Sequence, residues 1–244
     1  MKPQTPIKPY PYIEKDVTFV NASDGTILNG TLTLPDLDNQ YPAVILVTGS
    51  GQHDRDETIG EHKPFMVIAD YLTRNGIAVL RYDDRHLNLP IKKAWTFTSF
   101  DFAGDAKSAV DFLSTHENID QKSIGIMGHS EGGYIAPIVA SKDNRVSFII
   151  SLAGPGVSGE KIVGNQAKDF STNDNERCYN DKARNIVRAE SDIKVRKKKV
   201  KALHKKIFGR FNLKAKLKWY PFLDMIVSNW YKSFIESFPV EYWK

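Results

Sequence analysis

Four short runs, AVILVTG (43–49), IAVLRYDD (77–84), SIGIMG (123–128) and VSFIISLAG (146–154), are apolar almost without interruption, and helical patterns lie between them. A strand wetted on one face alternates polar and apolar residues; a strand that does not alternate is buried on both faces. The four runs therefore imply a mostly parallel sheet covered by helices on both sides, an α/β fold. Between them, Pro64 suits a first helical position, with Phe65, Ile68, Ala69 and Leu72 on one face and Gly76 as the stop. Phe102, Ala106, Ala109, Val110 and Leu113 form a second amphipathic stripe, and residues 131–142 a third helix. Ahead of the series, VTFVNASDGTILNGTLTLP (17–35) reads as two strands joined at Asp24-Gly25, a dipeptide that favours a tight antiparallel hairpin.

From about residue 156 the strand signal stops. Leu223, Ile226, Val227, Trp230 and Phe234 keep helical spacing, so the organisation expected is a sheet-bearing core over 1–155 and a helical segment over 156–244. With 244 residues, 41% of them hydrophobic, the chain can bury a sizeable core. Its single cysteine, Cys178, excludes an internal disulfide framework and reads as a small buried apolar residue. The first residues carry proline and charge where a secretory signal needs an apolar stretch, and no run approaches the ~18 apolar residues of a membrane span. The chain as given is thus expected to be cytoplasmic; a periplasmic or secreted location would need a leader ahead of it. The net charge of +5 is uneven: residues 194–218 hold 12 of the 34 Lys and Arg and no acid, which leaves the rest of the chain at −7.

The chemistry concentrates in IGIMGHSEGG (124–133), where Ser130 stands between Gly128 and Gly132 at a strand-to-helix junction. In that setting a G-x-S-x-G turn forces the serine into a strained conformation above the sheet edge, and the two glycines let the chain pass closely. The helix that begins there directs its unpaired N–H groups at any developing oxyanion. The bland reading is a glycine-rich turn in which Ser130 is an N-cap. GSGQHD (49–54) also admits a phosphate-binding reading, but it lacks the third glycine and a helix directly after it, so no dinucleotide site is expected. His53 and His62 with Glu61 and Asp54 match no common ligand spacing, and neither metal nor cofactor is expected.

The succession strand, VTGSGQHDRDE, helix, IAVLRYDDR, helix, IGIMGHSEGG, helix, FIISLAGPG resembles the α/β-hydrolase fold, and within it the bacterial EstD-type carboxylesterases, closely over about residues 14–160. The resemblance implies a serine hydrolase in which Ser130 attacks a small-molecule ester. It also implies that the backbone amides of Ser50 and Glu131 hold the oxyanion, with Gly51 a near alternative for Ser50. The helical segment becomes a cap over the site, and the aromatics of the tail (Trp219, Tyr220, Phe222, Tyr231, Phe238, Tyr242, Trp243) either line an acyl pocket or pack the cap. In place of the family's glycine-rich loop after DDR stands DDRHLNLPIKK.

A neutral serine needs an imidazole to take its proton, and in this fold the order is Ser, acid, His. The one histidine after Ser130 is His204, whose lysine neighbours disfavour an imidazolium and which reads as a solvated helix residue. His129 should point away from the Ser130 side chain; His53, His62 and His86 follow strands and could line a pocket; His116 ends a helix on the far edge. Residues 144–159 contain no acid. The last two strands of the family, with the acid and the histidine, are therefore expected to be missing. On that reading the chain is C-terminally truncated and impaired, and the strand at 146–154 is an open edge that invites self-association. Peptidase or thioesterase chemistry fits the same turn. A third possibility is an inactive fragment that binds anionic surfaces, since Val200, Leu203, Ile207 and Phe211 share one face of the lysine-rich segment 194–218; no nucleic-acid motif accompanies it.

Overall fold

Strands β1 (Ile13–Val20) and β2 (Ile27–Leu34) form the expected antiparallel hairpin in a computed structural model that describes residues 4–209 and 222–243. Gly25 takes the positive φ (75°) of the turn, and the Asp24 carboxylate accepts the Thr26 N–H at 3.0 Å. β3 (Tyr41–Val47), β4 (Ala78–Tyr82), β5 (Ile119–His129) and β6 (Val146–Leu152) follow. Among the described residues they form one six-stranded sheet in the order β1-β2-β4-β3-β5-β6, with β4, β3, β5 and β6 parallel and the hairpin joined antiparallel through β2. The crossovers run through α1 (Pro64–Arg74), then α2 (Ile91–Ala94) with α3 (Ser99–Leu113), then α4 (Gly132–Ala140).

The uninterrupted apolar strands are explained by two cores. In β3, Ala43, Ile45 and Val47 join Ala106, Ala109, Val110 and Leu113 of α3 and Ile135 and Ile138 of α4. The alternate residues Val44 and Leu46 join Phe65 and Ala69 of α1. Side chains alternate across a strand, so covering both faces requires every position to be apolar. Each of the larger side chains among them, such as Ile45, Leu46 and Phe65, contributes roughly 1.5–3 kcal/mol by its burial. β6 ends the strand order; Phe148 and Ile150 on it are 39% and 37% exposed.

The chain divides into two compact units. One takes in Met1–Asn88, Phe100–Pro155 and Glu241–Lys244, the other Leu89–Ser99 and Gly156–Val240, so that residues 89–99 leave the sheet unit and 241–243 return to it. In the return, Tyr242 packs edge-on against Tyr134 of α4.

The second unit is helical. It contains α2, α5 (Gly159–Phe170), α6 (Asp174–Ala189), α7 (Ile193–Phe208) and α8 (Asn229–Ile235). Four of these start at a side-chain cap: Ser158 accepts from Lys161 N, Asn173 from Glu176 N, Asp192 from Lys194 N and Val195 N, and Ser228 from Tyr231 N. Each satisfies a backbone donor that the helix cannot, worth about 1 kcal/mol.

His204 is not the solvated residue that its lysine neighbours suggest. It is buried with Arg196 and Val200, the three spaced by four along α7, and its ring meets Tyr179 of α6 and Phe208. Burial lowers its pKa. Leu203 and Ile207 are half-buried, and Phe211, like Trp219 and Tyr220, lies outside the described residues. Arg196 donates to the Ser228 carbonyl (2.8 Å) and to Asn229 Oδ1 (2.6 Å), while Lys199 pairs with Glu190 (2.8 Å) and Lys197 with Asp224. Among the described residues no helix is long and apolar enough to cross a membrane.

Behind β4, Arg85 is held by Asp105 of α3 through two bonds, Nε–Oδ2 at 2.6 Å and Nη2–Oδ1 at 2.5 Å, with both side chains 2% exposed. Asn21 of the hairpin donates to the same carboxylate at 2.8 Å. Asp105→Ala leaves a buried guanidinium without its main counter-charge, and the expected loss is about 3–5 kcal/mol by urea unfolding at neutral pH. A loss below about 1 kcal/mol would show that the pair carries little of the stability.

Candidate active site

Strand β5 ends at His129, and the chain turns at Ser130 with φ +51°. The left-handed region costs a non-glycine residue about 1–3 kcal/mol unless its surroundings enforce it. Here the Ser130 N–H donates to the Leu152 carbonyl of β6 (2.9 Å), and the Ser130 carbonyl accepts from Gly133 in the first turn of α4 (3.0 Å). Gly128 and Gly132 make the turn possible by having no Cβ. A methyl group on Gly128 would overlap the Gly132 carbonyl, and one on Gly132 would overlap the carbonyls of Val47 and Thr48. Ser130 is left partly exposed, and Glu131 is buried at the start of α4.

The loop after β3 arrives beside this turn because β3 and β5 are paired neighbours. A Cβ on Gly49 would stand 3.3 Å from the Cβ of Ser130. Ser50 is exposed, and among the described residues its N–H has no acceptor. Its carbonyl lies 3.1 Å from His53 Nε2, and Gly51 follows at φ 125°. Ser130, Glu131, Gly128, Gly132 and the segment carrying Ser50 and Gly51 are thus drawn together at the C-terminal ends of the parallel strands.

What fastens that loop was not assigned from sequence: the four charged residues DRDE (54–57). Asp54 accepts from Thr58 N (2.9 Å), Thr58 Oγ1 (2.7 Å) and Asp56 N (3.2 Å), which builds a turn. Arg55 grips Asp83 with Nε (3.1 Å) and Nη2 (2.7 Å), and its Nη1 reaches Thr31 (2.7 Å) and Asp16 (3.1 Å) on the hairpin. Asp56 pairs with Lys63 (3.0 Å) and with the buried Arg81. Glu57, buried and at φ +50°, accepts the Gly49 N–H at 2.8 Å, and the same oxygen lies 2.8 Å from His129 Nδ1. The signal was present: four consecutive charges straight after a glycine loop cannot all be solvated if that loop lies against a sheet edge.

Asp84, at the end of β4, accepts Thr48 Oγ1 (2.6 Å) and His53 N (2.8 Å), one partner from each side of the glycines. Burial pushes its pKa up to about 8, against the two hydrogen bonds that pull it down. Thr48, Gly49, Gly51, Asp84, His86 and Phe102 line a small cavity behind the loop. His86 packs tilted against Phe102 with ring centroids 4.9 Å apart, and burial together with the Arg85 charge lowers its pKa to about 4.

Of the five histidines in the sheet unit, His129 pairs with Glu57, His53 closes the Ser50 turn, and His86 lines the cavity. His62 forms a backbone bridge with Ile59, and the His116 ring accepts from Asn118 N (3.2 Å). None is hydrogen-bonded to Ser130.

Because the pKa of Asp84 is higher in the folded protein than in the unfolded chain, the fold holds this proton more tightly. The stability it contributes is full at acid pH and is lost as pH rises through about 8. In Asp84→Asn the amide reproduces the protonated acid, accepting from His53 N and donating to Thr48 Oγ1. Urea midpoints from about pH 5 to about pH 9 should fall less steeply in the variant than in the wild type. Equal slopes would place the proton elsewhere.

Comparison with known proteins agrees with this geometry. Residues 106–212 match the family model described as BAAT / Acyl-CoA thioester hydrolase C terminal. Over 162 residues the chain is 33% identical to Esterase EstD of Thermotoga maritima, an alignment that covers 66% of this chain and 37% of EstD. A hypothetical protein of Pseudomonas aeruginosa superposes with a TM-score of 0.53 at 18% identity, over 74% of this chain and 54% of the other. Esterase Est22 superposes with a TM-score of 0.50 at 20% identity, over 60% and 46%. The chain thus spans little more than a third of EstD and about half of these structures. With the strand order, the strained serine between β5 and α4 and these likenesses together, the chain has the α/β-hydrolase fold and is similar to EstD over about two thirds of its own length.

Proposed function

We propose that the chain carries the nucleophile and oxyanion halves of a serine carboxylic-ester hydrolase. The observation that supports this most is the Ser130 turn: a left-handed serine at the end of a parallel strand, set against a loop whose Ser50 amide lacks an acceptor among the described residues. Ser130 Oγ attacks the ester carbonyl carbon, and the carbonyl π electrons move to oxygen. The amides of Ser50 and Glu131 stabilise that oxyanion, and the intermediate collapses by breaking the ester C–O bond, the alcohol leaving with the proton that Ser130 gave up, carried to it by a base from outside the site. Water then repeats the sequence on the acyl-serine. In comparable sites each oxyanion donor contributes about 3 kcal/mol to the transition state.

The Ser130 proton needs an acceptor, and among the described residues of the sheet unit no imidazole is bonded to the hydroxyl, so attack is expected to be slow without an added base. A fluorophosphonate probe is expected to label the chain weakly, at Ser130 only, and to label it faster when imidazole is added as a mobile base. Ser130→Ala should take no label under either condition. Labelling that persists in Ser130→Ala would remove the nucleophile assignment.

Thioester hydrolysis is the second reading, favoured by the match to the BAAT / Acyl-CoA thioester hydrolase model, whose span contains Ser130. The turn fixes the attacking atom and not the leaving group. Turnover of a p-nitrophenyl ester and of an acyl thioester of equal chain length, compared as kcat/KM, separates the two. A ratio above about 10 in favour of the thioester would replace the ester assignment.

A further inference from the structure

We propose that Glu57 is a positioning residue which locks the oxyanion loop to the nucleophile turn through one carboxylate oxygen. The proposal rests on Ser130 and the Ser50 amide being the working groups named above. Its basis is geometric. Glu57 Oε1 accepts the Gly49 N–H at 2.8 Å, one residue before the Ser50 amide, and lies 2.8 Å from Nδ1 of His129, one residue before Ser130. The second contact is a hydrogen bond between the Glu57 carboxyl and the His129 ring. One atom therefore ties together the residues that precede the oxyanion donor and the nucleophile.

Two further observations show that this oxygen is held in place. The Glu57 side chain is 3% exposed, so its carboxylate has no freedom to swing into water. Its backbone sits at φ +50°, kept there by the turn in which Glu57 N donates to the Asp54 carbonyl (2.9 Å) and the Asp54 carboxylate caps Thr58. Strain of this kind persists where the surroundings enforce it, and here the outcome is a carboxylate aimed between two loops. Without it, the Gly49 N–H loses its acceptor, and the loop is left to the Asp84 bonds at Thr48 and His53, the Ser50 carbonyl contact with His53 and the Gln52 bonds to the His86 and Leu87 carbonyls. A donor displaced by about 1 Å from the developing charge lowers the rate by up to about 100-fold.

The test uses the full chain with Glu57→Ala, Glu57→Gln and His129→Ala, and reads both structure and turnover. Backbone amide exchange at Gly49 should rise at least about tenfold in Glu57→Ala while β3 and β5 keep their protection. In Glu57→Gln, whose amide oxygen still accepts the Gly49 N–H, it should stay close to wild type. With a p-nitrophenyl ester, kcat should fall about 10–100-fold in Glu57→Ala with KM within about twofold, and Glu57→Gln should recover most of the loss. Unchanged exchange at Gly49 in Glu57→Ala, or a loss carried by KM with kcat intact, would overturn the proposal. If Glu57→Ala does not fold, His129→Ala decides, since it removes only the imidazole end of the link. It should raise exchange at Gly49 and lower kcat, and no change in either overturns the lock. A wild type that neither turns over ester nor takes fluorophosphonate sinks the hydrolase reading, while exchange at Gly49 still decides whether Glu57 holds the loop.

Discussion

Backbone meets backbone at Gly132, and the rest of the site depends on that contact. The first turn of α4 comes so near the carbonyls of Val47 and Thr48, and so near Gly128, that no side chain fits at either glycine. Only this approach lets β5 run directly into the helix with a single left-handed residue between them. The serine is that residue, so its strain follows from the packing of one helix against two strands. Burial on one face of β3 supplies the energy that keeps the helix there, because Ala43, Ile45 and Val47 share the core of α3 and α4.

The loop after β3 is held by a different kind of force. Its glycines contribute almost no apolar surface, so it cannot be fixed by burial, and it is pinned instead by carboxylates. Asp84 takes Thr48 on one side and His53 on the other, Glu57 takes Gly49, and Arg55 clasps Asp83. Directional bonds suit this purpose, since each fixes both the distance and the angle of the backbone group it holds. The cost appears at Asp84, where burial disfavours the charge enough to shift the proton equilibrium toward neutral pH.

Much of the architecture was legible in the chain because it is written in periodicity. The runs beginning at Ala43, Ile77, Ser123 and Val146 are the four parallel strands, the Asp24-Gly25 hairpin forms, and Pro64 opens α1 while Gly76 follows its end. Ser130 with its two glycines was legible for the same reason, since a strand-to-helix junction with that spacing has few uses. The network around it was not. DRDE reads as four surface charges until the sheet order brings Asp83, Arg81 and His129 within reach, and strand order is not encoded in any local pattern. His204 failed for a related reason. Its lysine neighbours argue for water, but the helix turns it toward Tyr179, a partner on another helix that no window along the chain contains. The caps Ser158, Asn173, Asp192 and Ser228 were readable in principle, but α5 and α6 carry few apolar residues, and that hid the two helices that Ser158 and Asn173 begin.

Arg55 joins regions that look independent. Through Asp83 it belongs to the loop beside the serine, and through Thr31 and Asp16 to the amino-terminal hairpin. The hairpin is thus mechanically in series with the loop beside Ser130: a nick, a pull or a graft that slackens those first strands is passed along one guanidinium to a residue 24 and 39 positions further along the polymer than its two hairpin partners.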